Sequence, residues 1–171
     1  MSSASSALPV NAAGVPTPSL PERNPTLYLD WLWQHYFTDI VRVNEVFINY
    51  CYPWKSRLGL IRLALDKTHS FIGINSLLQL SQVPECVLIT TIAHEMVHYT
   101  HGFGSPLPRI HKYPHANRVV DRELERRELG ACLRCCNEWI DKYWYSFYDM
   151  QRESGWANIP GVQRVTHRGC R

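Results

Sequence analysis

His94, Glu95 and His98 fall within one five-residue stretch, His-Glu-Met-Val-His. On an α-helix, residues i and i+4 stand one above the other on a single face. Two imidazoles so placed can grip one Zn²⁺, and the carboxylate beside the first can take a proton from water activated by the ion. That is the chemistry of metal-assisted peptide hydrolysis. The pattern is short and the chain is rich in histidine, with 8 in 171 residues, so the surroundings have to carry the reading.

They support it. Stepping about 100° per residue from His94 puts Cys86, Leu88, Ile89, Ile92, Ala93, Met96, Val97 and Tyr99 on one side. Thr90, Thr91, His94, His98 and His101 gather on the other, with Val87 as the apolar intruder. Pro84 suits a first turn, Glu85 complements the positive end of the helix dipole, and Gly102 reads as the stop. The competing reading, an amphipathic helix with solvated histidines, needs Glu95 and both imidazoles to coincide by accident.

A catalytic zinc takes three protein ligands and leaves a fourth position to water, so a third ligand must come from further along. His101 shares the helical face but lies roughly 10 Å along the axis from His94, which suits a rim position better. The longer metzincin motif needs glycine at position 101 and histidine at position 104; the chain has His101 and Gly104. Glu123, Glu125 or Glu128 would give a two-His, one-Glu site, yet they alternate with Arg122, Arg126 and Arg127 like solvated helix pairs. His111 sits in the Gly- and Pro-punctuated loop 102–114. His115 follows Pro114 and opens the next periodic segment, and a rigid helix start holds a ligand better than a loop does. The favoured metal set is therefore His94, His98 and His115, with His111 and the three glutamates as alternatives. Glu95 is the expected general base. His101, His111, Tyr99 and Tyr113 are candidates for the donor that a tetrahedral oxyanion requires.

The elements that must position these groups are predicted as follows. Asn24-Pro25 reads as a helix cap and first turn, and Leu29, Trp33, Tyr36, Ile40, Val43, Phe47 and Tyr50 recur at steps of four and three. This predicts a long amphipathic helix ending near Pro53. Residues 58–65 and 71–77 are short apolar runs around Asp66-Lys67-Thr68-His69, a strand hairpin. Gly59 and Gly73 inside them mark a bulge or a close backbone approach. A strand beside the metal helix offers its open edge to an extended peptide. Cys132, Cys136, Trp139, Tyr143, Phe147 and Met150 form the apolar stripe of a last helix reaching about Arg152.

This order of elements, with His-Glu-Met-Val-His on a helix and a late Pro-His opening another, resembles the SprT-like zinc metalloprotease domain over approximately residues 27–129. The resemblance implies an α+β, minimal zincin-like fold with a long N-terminal helix, a small sheet, the motif helix and one or two further helices. It implies His94 and His98 as paired ligands, Glu95 as catalytic base, His115 as late ligand, and a protein or peptide substrate, with proteins held on DNA as one candidate class. After the late histidine the family usually has glycine and soon an aromatic, where this chain has Ala116-Asn117-Arg118-Val119.

Composition sets the outer limits. A chain of 171 residues with 45% hydrophobic content suits one domain. Residues 1–23 read as a disordered leader, 24–152 as the catalytic domain, and 153–171 as a tail. No apolar run reaches the ~20 residues of a membrane span, and the leader has no secretory pattern. A formal charge of +3 permits nucleic acid without arguing for it. Arg118, Arg122 and Arg126 are spaced to meet phosphates, but acids between them favour a solvated face. Six cysteines without a signal peptide predict an intracellular chain with reduced thiols. Cys51 and Cys86 are expected in the core, while Cys132, Cys135, His167 and Cys170 are considered as a second zinc site. Beside the zinc endopeptidase stand two other expectations, a Glu-ligated gluzincin and a zincin-shaped adaptor without activity.

Overall fold

Asn24 accepts a hydrogen bond from the Thr26 N–H at 3.0 Å and caps helix α1, Pro25–His35, with proline at its first position. The computed structural model describes residues 9–18, 20 and 22–160. Helix α1 buries Tyr28, Leu29, Leu32 and Trp33, and then the chain turns, dropping Phe37 into the core. The expected long helix stops here. Its second half is strand β1, Glu45–Cys51, in which exposed and half-buried residues alternate. The four-and-three spacing was shared by two different elements. Beyond residue 40 the chain is rich in Val, Ile, Phe and Tyr, which fit a pleated surface better than a helix. Val43 and Phe47, expected on the helix's core face, are about half exposed.

The hairpin forms as the sequence predicts. Strands β2, Gly59–Leu63, and β3, His69–Asn75, pair antiparallel, and β1 adds to β3 in parallel with Phe47 opposite Phe71. The order β1-β3-β2 leaves the outer edge of β2 without a strand partner among the described residues. Asn75, fully buried, fixes the crossover into β2. Its amide donates to the carbonyls of Trp54 (2.7 Å) and Arg57 (2.8 Å), and its Oδ1 accepts from the Leu77 N–H.

Helix α2, Glu85–Thr100, is buried on nearly every side, packed between the sheet and helix α4, Gly130–Glu153, with α1 and the short helix α3, Val119–Arg126, at its flanks. Its predicted apolar face lies in the core, and Val87, the intruder, is buried as well. Fully burying a large apolar side chain stabilises by roughly 1.5–3 kcal/mol, and Leu88, Ile89, Ile92, Met96 and Tyr99 all contribute. The motif is therefore carried on a helix most of whose residues are buried. In α4 the stripe differs from expectation. Cys132, Cys136 and Phe147 are buried, but Tyr143 and Met150 are exposed and Trp144, Tyr148 and Gln151 take the inner positions. The inner line drifts along the 24-residue helix because 3.6 residues per turn is not a strict repeat of seven.

Three further expectations are corrected. Residues 9–18, assigned to a disordered leader, form a turn closed by a Val10–Pro16 bridge, and Val15 is buried in the core. Cys86 and Cys135 form a disulfide that joins the start of α2 to α4, so these two thiols are not reduced. Arg127, read as a solvated helix partner, has a side chain only 3% exposed and pairs with Asp39 and Glu123. Among the described residues no helix is long and apolar enough to cross a membrane.

Candidate metal centre

Because α2 is continuous through the motif, His94 and His98 stand one turn apart with their Nε2 atoms facing each other at 3.1 Å. The loop that follows must turn back sharply to bring a third group. Gly102, at φ +76°, makes that turn where a Cβ would strike the Pro108 carbonyl oxygen at 2.5 Å. The Ser105 hydroxyl donates to the Tyr99 carbonyl (2.6 Å) and the Ile110 N–H to the His101 carbonyl (3.2 Å), folding the loop against the end of α2. His115 then enters just before a 3-10 turn, Ala116–Arg118, that leads into α3. Its ring centroid lies 4.7 Å from that of His98 and 5.4 Å from that of His94.

One ligand atom from each of His94, His98 and His115 lies within 4.8 Å of the others, the one such group of three among the described residues. Two nitrogens bound to one tetrahedral ion at ~2.0–2.1 Å sit about 3.3 Å apart, close to the separation of the α2 pair. Burial first, then the other histidines, holds His94 down at about 4 and His98 at about 3, so both are neutral, as ligands must be. Without an ion the pair gains at most one N–H···N bond for two desolvated rings, and His98 Nδ1 is buried with no partner. The donor set fits a nitrogen-preferring divalent metal.

Glu95 is 6% exposed, and burial pushes its carboxyl up to about 8. It lies against β2 at Gly59, where a Cβ would meet Glu95 Oε1 at 2.8 Å. The sequence marked Gly59 as a close approach without revealing its neighbour. Histidines and Glu95 open on a cleft of about 720 Å³. Its one wall is β2, its other the first turns of α4, where Leu133, Cys136 and Ile140 face it. No motif in the sequence announced that second wall.

The remaining candidates lie elsewhere. His111 packs on His101 at 4.6 Å, outside the group of three. Glu123 is taken by Arg126 (2.6 Å) and Arg127 (2.8 Å), while Glu125 and Glu128 are exposed and outside the group. Tyr99 Oη accepts from the Val43 N–H and donates to Asn44, so it is spent on the fold. Tyr113, His101 and His111 do not line the cleft. Cys135 is bonded to Cys86, which removes it from the suggested second zinc site. Burial pushes the Cys132 thiol up to about 11 and Cys136 up to about 12, leaving both protonated. His167 and Cys170 lie outside the described residues.

No protein-family model matches the sequence, and no curated protein matches it significantly.

Proposed function

We propose that the chain is a zinc-dependent endopeptidase of the SprT-like kind. The observation that carries the reading is the group His94, His98 and His115 beside buried Glu95, in a cleft bordered by a strand edge that has no strand partner among the described residues. His94, His98 and His115 would hold the ion. Zn²⁺ in such a site supplies Lewis acidity, making water acidic enough to attack near neutral pH and polarising the scissile carbonyl. The outer edge of β2 offers backbone donors and acceptors to an extended substrate. Glu95 accepts the proton of the attacking water and passes it to the leaving amine. In the metal-free chain burial raises its carboxyl to about 8; a cation bound beside it would draw it down toward the ionised form that a general base needs. Gly59 leaves the room that Glu95 occupies.

The Glu-ligated alternative loses support because Glu123 is committed to two arginines. The phosphate-facing arginine row also weakens, since Arg118 pairs with Asp121 and Arg126 with Glu123. Protein, not DNA, is the partner favoured here. The test is Glu95→Gln. The variant should retain bound zinc and lose cleavage of an unfolded protein substrate by at least a hundredfold or so, as expected for removal of a general base. Cleavage at the parental rate would overturn the assignment.

A further inference from the structure

The edge of β2 is bracketed by two guanidinium groups. Arg57 precedes the strand by two residues and Arg62 lies within it, both exposed and both lining the cleft. Among the described residues neither forms an ion pair within 4 Å; Arg57 stands near the ring of Trp54, at 5.8 Å, and its charge acts on the buried Glu95 carboxyl. The other charged groups of the cleft are already spent. Glu95 is buried, and Asp121 is held by Arg118 at 3.0 Å. Among the described residues, the binding face is therefore an extended edge with two cations outside any ion pair and no exposed unpaired carboxylate lining it.

Position along the strand sharpens this. The point of β2 that touches Glu95 is Gly59, two residues after Arg57 and three before Arg62. At about 3.3 Å per residue the two arginines are at most about 16 Å apart along the chain, one on each side of the catalytic point. We propose that this site selects extended polypeptide carrying acidic side chains two or three residues to either side of the bond that is cut, read by Arg57 and Arg62. The inference rests on the peptidase reading for the position of the bond, but the recognition itself is a property of the edge. A nucleic acid strand would satisfy the charges and leave the backbone donors and acceptors of β2 without partners, so peptide is the occupant the edge fits.

The test separates recognition from chemistry. Three fluorescent peptides share an uncharged core and carry Glu, Gln or Lys on both flanks, and a single-stranded oligonucleotide serves as the competing polyanion. Binding to the full-length Glu95→Gln chain is read by anisotropy at low and at physiological salt. Each exposed charge pair is worth up to about fivefold in affinity, so the Glu-flanked peptide should bind about tenfold tighter than the Gln-flanked one. The Lys-flanked peptide should be weakest, and the margin should narrow with salt. Adding Arg57→Glu and Arg62→Glu should invert the order, and Arg57→Gln with Arg62→Gln should level it. Equal binding of the three peptides, an order that survives the reversal, or an oligonucleotide that outcompetes the acidic peptide would each overturn the proposal. If the order holds while the parental chain cleaves none of the peptides, recognition stands and the hydrolase reading fails by itself.

Discussion

Replacing Gly59 by alanine tests the contact between strand and motif helix with a single carbon. A Cβ at this position lies 2.8 Å from Glu95 Oε1, 3.0 Å from Thr91 Cγ2 and 3.1 Å from Glu95 Cγ. Unstrained contacts are about 3.5–4.0 Å, so relief requires movement of roughly 0.5–1 Å. Glu95, at 6% exposure, can give way only toward the cleft, out of the position from which it serves the attacking water. Overpacking of this kind costs about 1–3 kcal/mol, and replacing a strand glycine returns about 0.5–1 kcal/mol. The net loss of stability is therefore at most about 2.5 kcal/mol, or roughly 5–10 °C in melting temperature for a chain of this size. Catalysis is more sensitive, because a displacement near 1 Å in a reacting group costs on the order of a hundredfold. Cleavage of an unfolded protein substrate, melting temperature and bound zinc should be measured on the same preparation. Expected are a 10- to 100-fold slower rate, roughly as the displacement argument gives, with modest destabilisation and zinc retained. A parental rate in Gly59→Ala, or loss of zinc in step with activity, would refute the role given to this contact.

Two further outcomes follow from the same geometry. In the metal-free chain, burial holds His94 at about 4 and His98 at about 3, against about 6.5 unfolded. As pH falls below that value the unfolded chain takes up these protons first. Stability is whole above about pH 6.5 and declines toward the folded values, by at most about 1.4 kcal/mol per pH unit for each histidine. Glu95, raised to about 8, acts in the opposite sense as pH falls from 8 to 4.5, so urea unfolding should be read in Glu95→Gln, where replacing His94 and His98 by Gln should flatten the limb; an unchanged slope would contradict the assignment. Cys86 and Cys135 are 49 residues apart in sequence, and closing a loop of that size stabilises by up to about 4 kcal/mol. Cys135→Ser should therefore lower stability in denaturant titrations by about 2–4 kcal/mol, and a variant as stable as the parent would show that the bond holds nothing together.

The motif helix was legible because two independent signals agree on it. The apolar set from Cys86 to Tyr99 has one period, and His94 and His98 fall on the other side of it. The hairpin was legible for the same reason, as two apolar runs around a polar turn. The segment after Tyr36 was not, because Val43, Phe47 and Tyr50 continue a helical spacing that the sheet turns to a different use. Phe47 stands opposite Phe71 in the sheet, and nothing local to the sequence says that β3 will be there to receive it. Pairings distant in sequence were lost in the same way. Cys86 satisfies the core stripe of α2 as well as a disulfide, and Arg127 reads as one more solvated charge until Asp39 is seen 2.7 Å away. Val15 is one of a few scattered apolar residues, with Leu8, Val10 and Leu20, in a Ser-, Ala- and Pro-rich stretch without periodicity, too little to predict burial. His115 was reached by a local argument about helix starts. What brings it to the α2 pair is the loop folded back by Gly102 and Ser105, which the sequence marked only as a turn.

Zinc content measured by elemental analysis, after saturation and removal of excess ion, tests the three-histidine centre most directly. About one zinc per chain is expected in the parent and in Glu95→Gln, with affinity reduced by at least about a hundredfold in His98→Ala and in His115→Ala. A parent chain that retains no zinc, or a His115→Ala chain that holds it as tightly as the parent, would contradict that centre.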